Sequence, residues 1–310
     1  MNKQSYPPVT IIGASSVGTA IAYALYDVGY PIVSVISKTI QSAQALASTV
    51  QCNTASTSVK DISPETKLLI VTVPDTSIPD LDSQIAKLAS LPFKKIIAIH
   101  TAGIEPASVF KKLKAKGVTP AAVHPIQTFP KLTKQTSSTV TLEGIYFGVD
   151  CEKKSLPIIK KLVADMGGSM VMIPENQRAL YHTACVFASS FLTVHMNAIS
   201  ELSKSLKLKT PWLDVFNPLM TVSIQNLIQS SAGEALTGPV IRKDVSTLEA
   251  HLNSLSKFAP EIIPLYTVCT SEVARIATKS GRISEKEYIT IIQLLNKFSK
   301  QQTAKRKVSS

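Results

Sequence analysis

Near its amino terminus the chain reads Val9-Thr10-Ile11-Ile12-Gly13-Ala14-Ser15-Ser16-Val17-Gly18-Thr19-Ala20-Ile21-Ala22-Tyr23-Ala24-Leu25. The first four residues form a short, uncharged and mostly β-branched run, which is typical of a strand buried on both faces of a parallel sheet. From Val17 onward, apolar residues recur at helical spacing. The change of period at the glycines predicts a strand, a tight turn and a helix in succession.

The turn matches most of a phosphate-binding fingerprint. Gly13 and Gly18 take the first and third glycine positions of G-x-G-x-x-G, which permit a tight turn and a close approach of helix to strand. Ser15 replaces the middle glycine, although a serine still allows a fairly close approach of a pyrophosphate, and the helix N-terminus offers amide donors. An ordinary glycine turn is the alternative. We predict a dinucleotide site formed by Gly13, Ala14, Ser15, Ser16, Val17 and Gly18.

The next predicted strand, Ile32–Ile36, ends in Ser37-Lys38-Thr39. A site that prefers NAD carries an acidic residue there for the ribose 2′-hydroxyl, and this chain has none. Two hydroxyls and a cation stand where a 2′-phosphate would lie, which favours NADP. The alternative is a solvated turn followed by a helix N-cap.

Strand and helix patterns alternate up to residue 174, which predicts an α/β domain with a doubly wound, mostly parallel sheet. We predict its later strands at 68–75, 95–100, 120–125, 145–149 and 170–173, separated by helices at 39–50, 78–88, 106–115 and 153–166. Asp75, His100-Thr101 and His124 end three of these strands, and ligands of such sheets bind beyond the carboxyl ends of strands.

The remainder of the chain shows only helical patterns. We predict an all-helical domain over 175–300, expected to bind substrate and form the dimer contact, and a basic tail at 301–310 whose composition favours disorder. Within a long helix from Glu175 to about Leu206, polar residues fall on one line beside an apolar packing stripe. This polar facet consists of Arg178, His182, Ser189, Thr193 and Asn197.

His182 is a candidate proton donor, because the pKa of histidine lies near neutrality. Tyr181 points about 100° away around the helix, so the pattern does not pair it with His182. His100 and His124 at strand ends are competing candidates. The sequence leaves the three histidines open, and a structural role for His182 is the alternative.

Composition limits the class of protein. Hydrophobic residues make up 45% of the chain and charged residues 17%, as in folded globular domains. No apolar run approaches the length of a membrane span, and the first eight residues lack the apolar core of a signal peptide. We therefore expect a cytoplasmic protein without membrane association.

Neither the charge nor the cysteines indicate a nucleic-acid or metal site. The formal net charge is +12, but the lysines are scattered or lie in the terminal segment, and no nucleic-acid motif accompanies them. The four cysteines have no metal-site spacing, so reduced thiols and no bound metal are expected.

Five short strings carry a family resemblance over residues 9–300. They are Thr72-Val73-Pro74-Asp75, His100-Thr101-Ala102-Gly103, His124-Pro125-Ile126-Gln127-Thr128-Phe129, Tyr181-His182-Thr183-Ala184 and Leu236-Thr237-Gly238-Pro239-Val240-Ile241-Arg242-Lys243-Asp244. The chain resembles oxidoreductases that join a Rossmann-like domain to a C-terminal helical domain of unknown function. These are similar, at a distance, to pyrroline-5-carboxylate reductase, ketopantoate reductase and 6-phosphogluconate dehydrogenase.

The resemblance implies an NADP-binding sheet, a dimer made through the helical domain and an active site in the cleft between the domains. It adds Val73, Pro74, Asp75, His100 and Thr101 to the cofactor site, and it implies a substrate site of Gln127, Tyr181, Thr237, Gly238, Pro239, Arg242, Asp244 and His251. Arg242 could hold a substrate carboxylate with its planar fork; a surface ion pair with Asp244 beside a helix N-cap is the alternative.

The chain departs from the family pattern in two respects. Ser190 stands where asparagine is frequent, and Arg178 with His182 stands where 6-phosphogluconate dehydrogenase uses lysine and asparagine. Arginine does not release a proton near neutrality, so the catalytic acid does not carry over. The leading hypothesis is an NADPH-dependent reductase of a small anionic carbonyl or imine. The alternative is an NADP-binding regulatory or scaffold protein without turnover.

Overall fold

The computed structural model describes residues 6–130 and 141–308, with side chains described as far as residue 299. Its described residues divide into two compact units that meet between Ser189 and Ser190. The sequence-based boundary at residue 174 lies before this division, because the helix that follows residue 174 packs with the sheet.

The first unit is built on one eight-stranded sheet. Its strands are β1 Val9–Ile12, β2 Ile32–Ile36, β3 Ala55–Ser56, β4 Leu68–Val71, β5 Ile97–His100, β6 Thr119–Pro125, β7 Tyr146–Cys151 and β8 Ser169–Met172. They lie in the order β3-β2-β1-β4-β5-β6-β7-β8. Neighbouring strands are parallel except β6 and β7, which run antiparallel. The predicted doubly wound, mostly parallel sheet is confirmed; the two-residue β3 was not predicted.

Helices cover both faces of this sheet. They are α1 Ser16–Asp27, α2 Ile40–Thr49, α3 Ile78–Ile85, α4 Lys111–Ala115, α5 Leu156–Asp165 and α6 Arg178–Ala188. Successive residues of a strand point to opposite faces, so Leu68 and Ile70 of β4 pack in one apolar cluster with Leu25 of α1. Leu69 and Val71 pack in the other cluster with helices α3 and α4. This double burial explains the charge-free strand sequences.

The second unit is helical throughout its described residues, as predicted. Its helices are α7 Ser190–Ser205, α8 Trp212–Gln229, α9 Ala232–Ala235, α10 Val245–Phe258, α11 Ile263–Lys279 and α12 Glu285–Val308. Leu248, Leu252 and Ala274 belong to its buried core, which α10, α11 and α12 supply. Helix α12 continues through residues 301–308, where disorder was predicted, because glutamine, alanine, lysine and arginine are good helix formers; residues 309 and 310 lie outside the described residues.

The predicted long helix after Glu175 is interrupted. Ser189, with φ −132° and ψ −77°, ends α6, and α7 starts at Ser190. The predicted polar facet is therefore wrong as a single line, because only Arg178 and His182 share α6. The predicted packing stripe is also largely exposed, with Leu180 at 75% and Phe187 at 63% of full exposure.

Composition marks the segment Glu175–Ser205 as long and apolar enough to cross a membrane, with 0% of its apolar window buried inside the structure. The expectation that no segment reaches that length is therefore corrected. Its first half, however, belongs to the unit that contains the sheet. Its polar contacts with that unit include a hydrogen bond from Arg178 to the Ala102 carbonyl.

Candidate functional site

The glycine turn lies where the strand order reverses. The chain passes from β1 to β2 and β3 on one side and returns to β4 on the other, which is the crevice where ligands of doubly wound sheets bind. Gly13 has a φ of +107°, and a Cβ there would lie 2.8 Å from the Thr72 carbonyl oxygen. A Cβ on Gly18 would overlap the Gly13 carbonyl. Both glycines are therefore required for the approach of α1 to β1 and β4.

Ser15, the departure from the fingerprint, acts as the N-cap of α1. Its hydroxyl accepts from the Gly18 amide at 3.1 Å and donates to the Thr72 carbonyl at 3.0 Å. The side chain is thus turned to the backbone of the turn. Helical bonding begins with the Thr19 amide, which donates to the Ser15 carbonyl at 2.8 Å. The amides of Ser16 and Val17 lie before this first bond in the chain, in the part of a helix whose amides can bind an anion.

The three predicted phosphate ligands at the end of β2 have different surroundings. Ser37 Oγ accepts from the Ala14 amide at 3.4 Å, which ties it to the glycine turn. Thr39 is the N-cap of α2 and accepts from the Ser42 amide at 3.4 Å, so the N-cap interpretation holds for Thr39. Lys38 is exposed between them. This capping hydrogen bond leaves less of the Thr39 hydroxyl for the predicted phosphate contact.

The next two strands contribute their carboxyl ends to the same edge. Val73 and Pro74 follow β4, and Asp75 opens a short 3₁₀ turn. Thr101 follows β5, and its amide donates to the Val71 carbonyl at 3.2 Å. These predicted cofactor residues thus lie at the same edge of the sheet as the glycine turn.

A histidine and a tyrosine meet beyond β6. His124 on β6 has its Nδ1 at 2.6 Å from the Tyr181 hydroxyl on α6, and the two rings are edge-on at 5.7 Å. The His182 ring is also close to His124, with 6.0 Å between the two ring centroids. His124 therefore interacts with two successive residues of α6, although the helical pattern kept Tyr181 and His182 apart. We call His124, Tyr181 and His182 the proton cluster.

Two glycines make room for this cluster. A Cβ on Gly103, in the loop after β5, would overlap His182 Cδ2 and lie 3.1 Å from His124 Nε2. A Cβ on Gly148, in β7, would overlap the Tyr181 hydroxyl. The pattern of strands and helices gave no sign of either requirement, although Gly103 stands in one of the family strings. Only the pairing of β6 with β7 brings Gly148 beside the tyrosine.

The histidine at the end of β5 has different surroundings. His100 is fully buried, its Nε2 lies 3.0 Å from the Pro106 carbonyl, and its ring is edge-on to Phe110. Burial lowers the pKa of His100 to about 4. These contacts favour a structural role for His100, which leaves His124 and His182 as the proton donor candidates.

Two members of the proton cluster, His124 and Tyr181, are uncharged near neutral pH. Burial, together with the charges of His182 and Arg178, lowers the pKa of His124 to about 4. Burial and the neighbouring Cys185 raise the pKa of Tyr181 above its usual range. Near neutrality the imidazole of His124 is uncharged and the Tyr181 hydroxyl keeps its proton, so a single hydrogen bond fixes both rings.

Gln127 is tied to its own neighbour in the chain, because its Oε1 accepts from the Thr128 amide at 2.8 Å. Apart from Gln127 and Tyr181, the predicted substrate residues belong to the second unit. Asp244 is the N-cap of α10 and accepts from the Thr247 amide at 3.0 Å, and its hydrogen bonds to Thr247 and Ser246 lower its pKa to about 2.

Elsewhere in this unit, His251 Nδ1 lies 2.9 Å from the Tyr266 hydroxyl. Gly238, next to Thr237 and Pro239, has a φ of +93°. Arg242 is exposed, and the ion pairs of the described residues do not include a bond to Asp244. A cation in this state can still accept an anionic ligand.

Comparison with known families agrees with this architecture. Residues 2–125 match the model of a Rossmann-like domain, and residues 145–273 match a domain of unknown function, DUF2520. The chain joins a Rossmann-like domain to a DUF2520 domain. The resemblance drawn from the sequence is thereby confirmed. The DUF2520 match begins at β7, so this domain includes two strands of the sheet as well as helices.

Solved structures share this fold. A candidate NADP oxidoreductase of Bacteroides fragilis is 28% identical, with a TM-score of 0.71 over 87% of this chain and 99% of that one. A pyrroline-5-carboxylate reductase of Coxiella burnetii is 12% identical, with a TM-score of 0.52 over 96% and 98% of the chains.

A prephenate dehydrogenase of A. aeolicus, solved with NAD⁺, is 15% identical, with a TM-score of 0.51 over 99% and 89% of the chains. No curated protein matches the sequence. The neighbours are thus oxidoreductases of nicotinamide dinucleotides.

Proposed function

We propose that this protein is an NADP-dependent oxidoreductase that reduces a small anionic carbonyl or imine compound. The observation that carries the proposal is the sharing of one sheet edge by a glycine turn and a proton cluster. β1 and β6 are three strand spacings apart, or about 14 Å. A dinucleotide whose pyrophosphate lies at the Gly13–Gly18 turn can extend along that edge toward His124.

The residues present fit a dinucleotide. The close contacts at Gly13 and Gly18 leave no room for side chains, and the N-terminus of α1 supplies amides and a positive dipole end. When bound, NADPH would supply the hydride. The roles left to this chain are to orient the cofactor, to bind the substrate and to deliver a proton.

The preference for NADP rests on the end of β2. No carboxylate occupies positions 37–39, and Lys38 is exposed there. A lysine recognises a phosphate as a point charge. The prephenate dehydrogenase neighbour was solved with NAD⁺, so the cofactor preference of this chain has to be measured. Lys38 favours NADP.

His182 is the group we assign to proton delivery. It is half-buried beside Gly103, whereas His124 is held by Tyr181 and is neutral near pH 7. His124 then orients His182 and its surroundings. The name of the Coxiella reductase refers to a pyrroline carboxylate, which is a cyclic imine that carries an anionic group. Arg242 is our candidate for binding such a carboxylate.

We also infer that a second copy of the chain covers the exposed apolar helices. In α8, eighteen residues long, no residue is buried, and Leu219 and Ile228 are 65% and 78% exposed. On α6, Leu180 and Phe187 line a groove of about 740 Å³. Polar residues such as Asn217 interrupt these surfaces, which suits a protein partner better than lipid.

A cofactor titration tests the proposal. Calorimetry with NADPH and, separately, NADH should give NADPH an affinity about tenfold higher, which corresponds to ~1.4 kcal/mol. Lys38→Ala should remove most of that preference. Lys116→Ala, at the amino end of β6 and thus at the opposite edge of the sheet, is the matched control. Failure of both nucleotides to bind would overturn the oxidoreductase proposal.

Turnover distinguishes the reductase from the regulatory alternative. A loss of NADPH absorbance with a keto-acid or cyclic imine carboxylate, which His182→Gln slows about a hundredfold or more, is expected of general acid catalysis. Tight NADPH binding without oxidation across a broad panel of such compounds would favour a protein that binds NADP without turnover.

A further inference from the structure

Arg178, the first residue of α6, is a buried cation that forms no ion pair within 4 Å among the described residues, although Asp150, Glu105 and Asp75 attract it from farther away. It is 1% exposed, and its Nη2 donates to the Ala102 carbonyl at 2.8 Å. Its Nε and Nη1 have no hydrogen-bond partner among the described residues. By comparison, the exposed Arg275 does have an ion pair, because its Nε lies 2.7 Å from a carboxylate oxygen of Glu272.

Burying a charge without an opposite charge is costly, so proteins retain such groups mainly where a function needs them. A hydrophobic side chain of similar length would fill the same space without that cost. The energetic penalty therefore points to a task that a neutral residue does not perform. The contact of the Arg178 guanidinium with the Ala102 carbonyl indicates that this task concerns the loop after β5.

Arg178 is one of three polar groups that hold the loop between β5 and α4; Arg178 and His100 are buried, and Asp150 is half-buried. It binds the Ala102 carbonyl, His100 binds the Pro106 carbonyl, and Asp150 Oδ2 on β7 accepts from the Ala107 amide at 2.8 Å. These contacts come from three different elements. Gly103, the residue after Ala102, is the one that packs against His182 and His124.

We propose that Arg178 is a positioning residue, which fixes the Ala102–Gly103 backbone against His182 and His124 and thereby sets the geometry of the proton cluster. This inference deepens the proposed function and rests on it for its catalytic meaning. Arg178 touches neither His124 nor the proposed reacting atoms in the contacts described. It acts through the loop and through its charge.

The positive charge of Arg178 also affects the proton cluster. Arg178 lowers the pKa of His124, after the larger effects of burial and of His182. The titratable groups that interact with His124 are His100 on β5 and Arg178, Tyr181 and His182 on α6, and Asp150 on β7 interacts with Arg178. A permanent cation among them favours the uncharged imidazole of His124, which forms the hydrogen bond with Tyr181.

Two variants separate geometry from charge. Arg178→Met removes the fork and the charge with little change of volume, and Arg178→Lys keeps a cation but not the planar fork. Arg275→Met, on the exposed surface of the second unit, is the control. Amide hydrogen exchange and histidine NMR titration are measured on the full chain without cofactor or substrate.

In Arg178→Met we expect exchange at the Ala107 amide to accelerate about tenfold or more, while amides of β1 and β4 stay protected. The His124 titration should move upward by ~0.5 pH unit or more, because a nearby positive charge is gone. Arg178→Lys should loosen the loop while leaving the His124 titration low. Arg275→Met should change neither.

Unchanged exchange at Ala107 together with an unchanged His124 titration would overturn the proposal. So would uniform loss of protection across the sheet, because that result describes a general structural role. If Arg178→Met does not fold, the exchange pattern of Arg178→Lys decides. A loosened loop in a protein that binds no NADPH would support the positioning role and contradict the proposed function, so the two failures are distinguishable.

Discussion

The Tyr181 hydroxyl lies 2.6 Å from Nδ1 of His124, with the two rings nearly perpendicular at 86°. The tyrosine comes from the helix after the sheet and the histidine from the sixth strand. Their hydrogen bond fixes the imidazole beside His182, which is where we expect proton delivery.

Loss of this hydrogen bond should affect catalysis more than folding. In Tyr181→Phe the His124 ring keeps its packing but loses its orienting partner, so kcat should fall about tenfold to a hundredfold with little change in NADPH affinity. Tyr146→Phe, at an exposed tyrosine of the neighbouring strand, is the control for steady-state kinetics. An unchanged kcat in Tyr181→Phe would remove Tyr181 from the proton cluster.

The space left by Gly103 should be indispensable. In Gly103→Ala the new methyl group would overlap the His182 ring, so the ring must move and kcat should fall at least about tenfold. NADPH affinity, measured by calorimetry, should change much less, because the glycine turn is untouched. The adjacent and exposed Ile104→Ala serves as the comparison. Equal effects of the two variants would show that steric contact with His182 is unimportant.

Stability should fall as the pH drops from about 6.5 to about 4. His100 and His124 have pKa values lowered to about 4 in the folded protein, whereas the unfolded chain titrates near 6.5. Between these values the unfolded state binds more protons, so protonation favours unfolding. Each histidine accounts for on the order of 1–3 kcal/mol, fully present above the unfolded pKa.

Urea unfolding at several pH values checks this expectation. The free energy of unfolding of the wild-type chain should decrease through the window, and His100→Gln should show a shallower dependence, because one titrating group is gone. A wild-type slope that matches that of the variant would contradict the burial effect at His100.

The apolar surface of α8 should set the oligomeric state. Leu219→Glu combined with Ile228→Glu places two charges on the proposed contact, so light scattering should give half the mass of the wild-type protein. Lys279→Glu, a charge change at the end of α11, should leave the mass unaltered. A monomeric wild-type chain, or a double variant that remains dimeric, would exclude this face as the contact.

Local sequence patterns predicted the sheet and most of its helices, because buried strands and amphipathic helices each have a characteristic spacing of apolar residues. They missed the break at Ser189, since a continuous apolar pattern does not reveal a backbone that turns between two units. They also failed to anticipate the burial of Arg178, because a helical pattern assigns a charged residue to a polar face. Tertiary contacts override that preference.

The proton cluster was predicted only in part. His124 and His182 were candidates from their residue type, but their proximity depends on strand order and on two glycines. The requirement at Gly148 arises from the antiparallel pairing of β6 with β7, a contact between distant parts of the chain. No local rule predicts such a pair.

The antiparallel ladder between β6 and β7 is also the place where the two sequence families meet. The first match ends at residue 125 and the second begins at residue 145, so His124 comes from one and Tyr181 from the other. Their hydrogen bond makes the two modules depend on each other. Recombination that exchanged either module between relatives would have to preserve a bond across the junction, which would constrain the two modules to be inherited together.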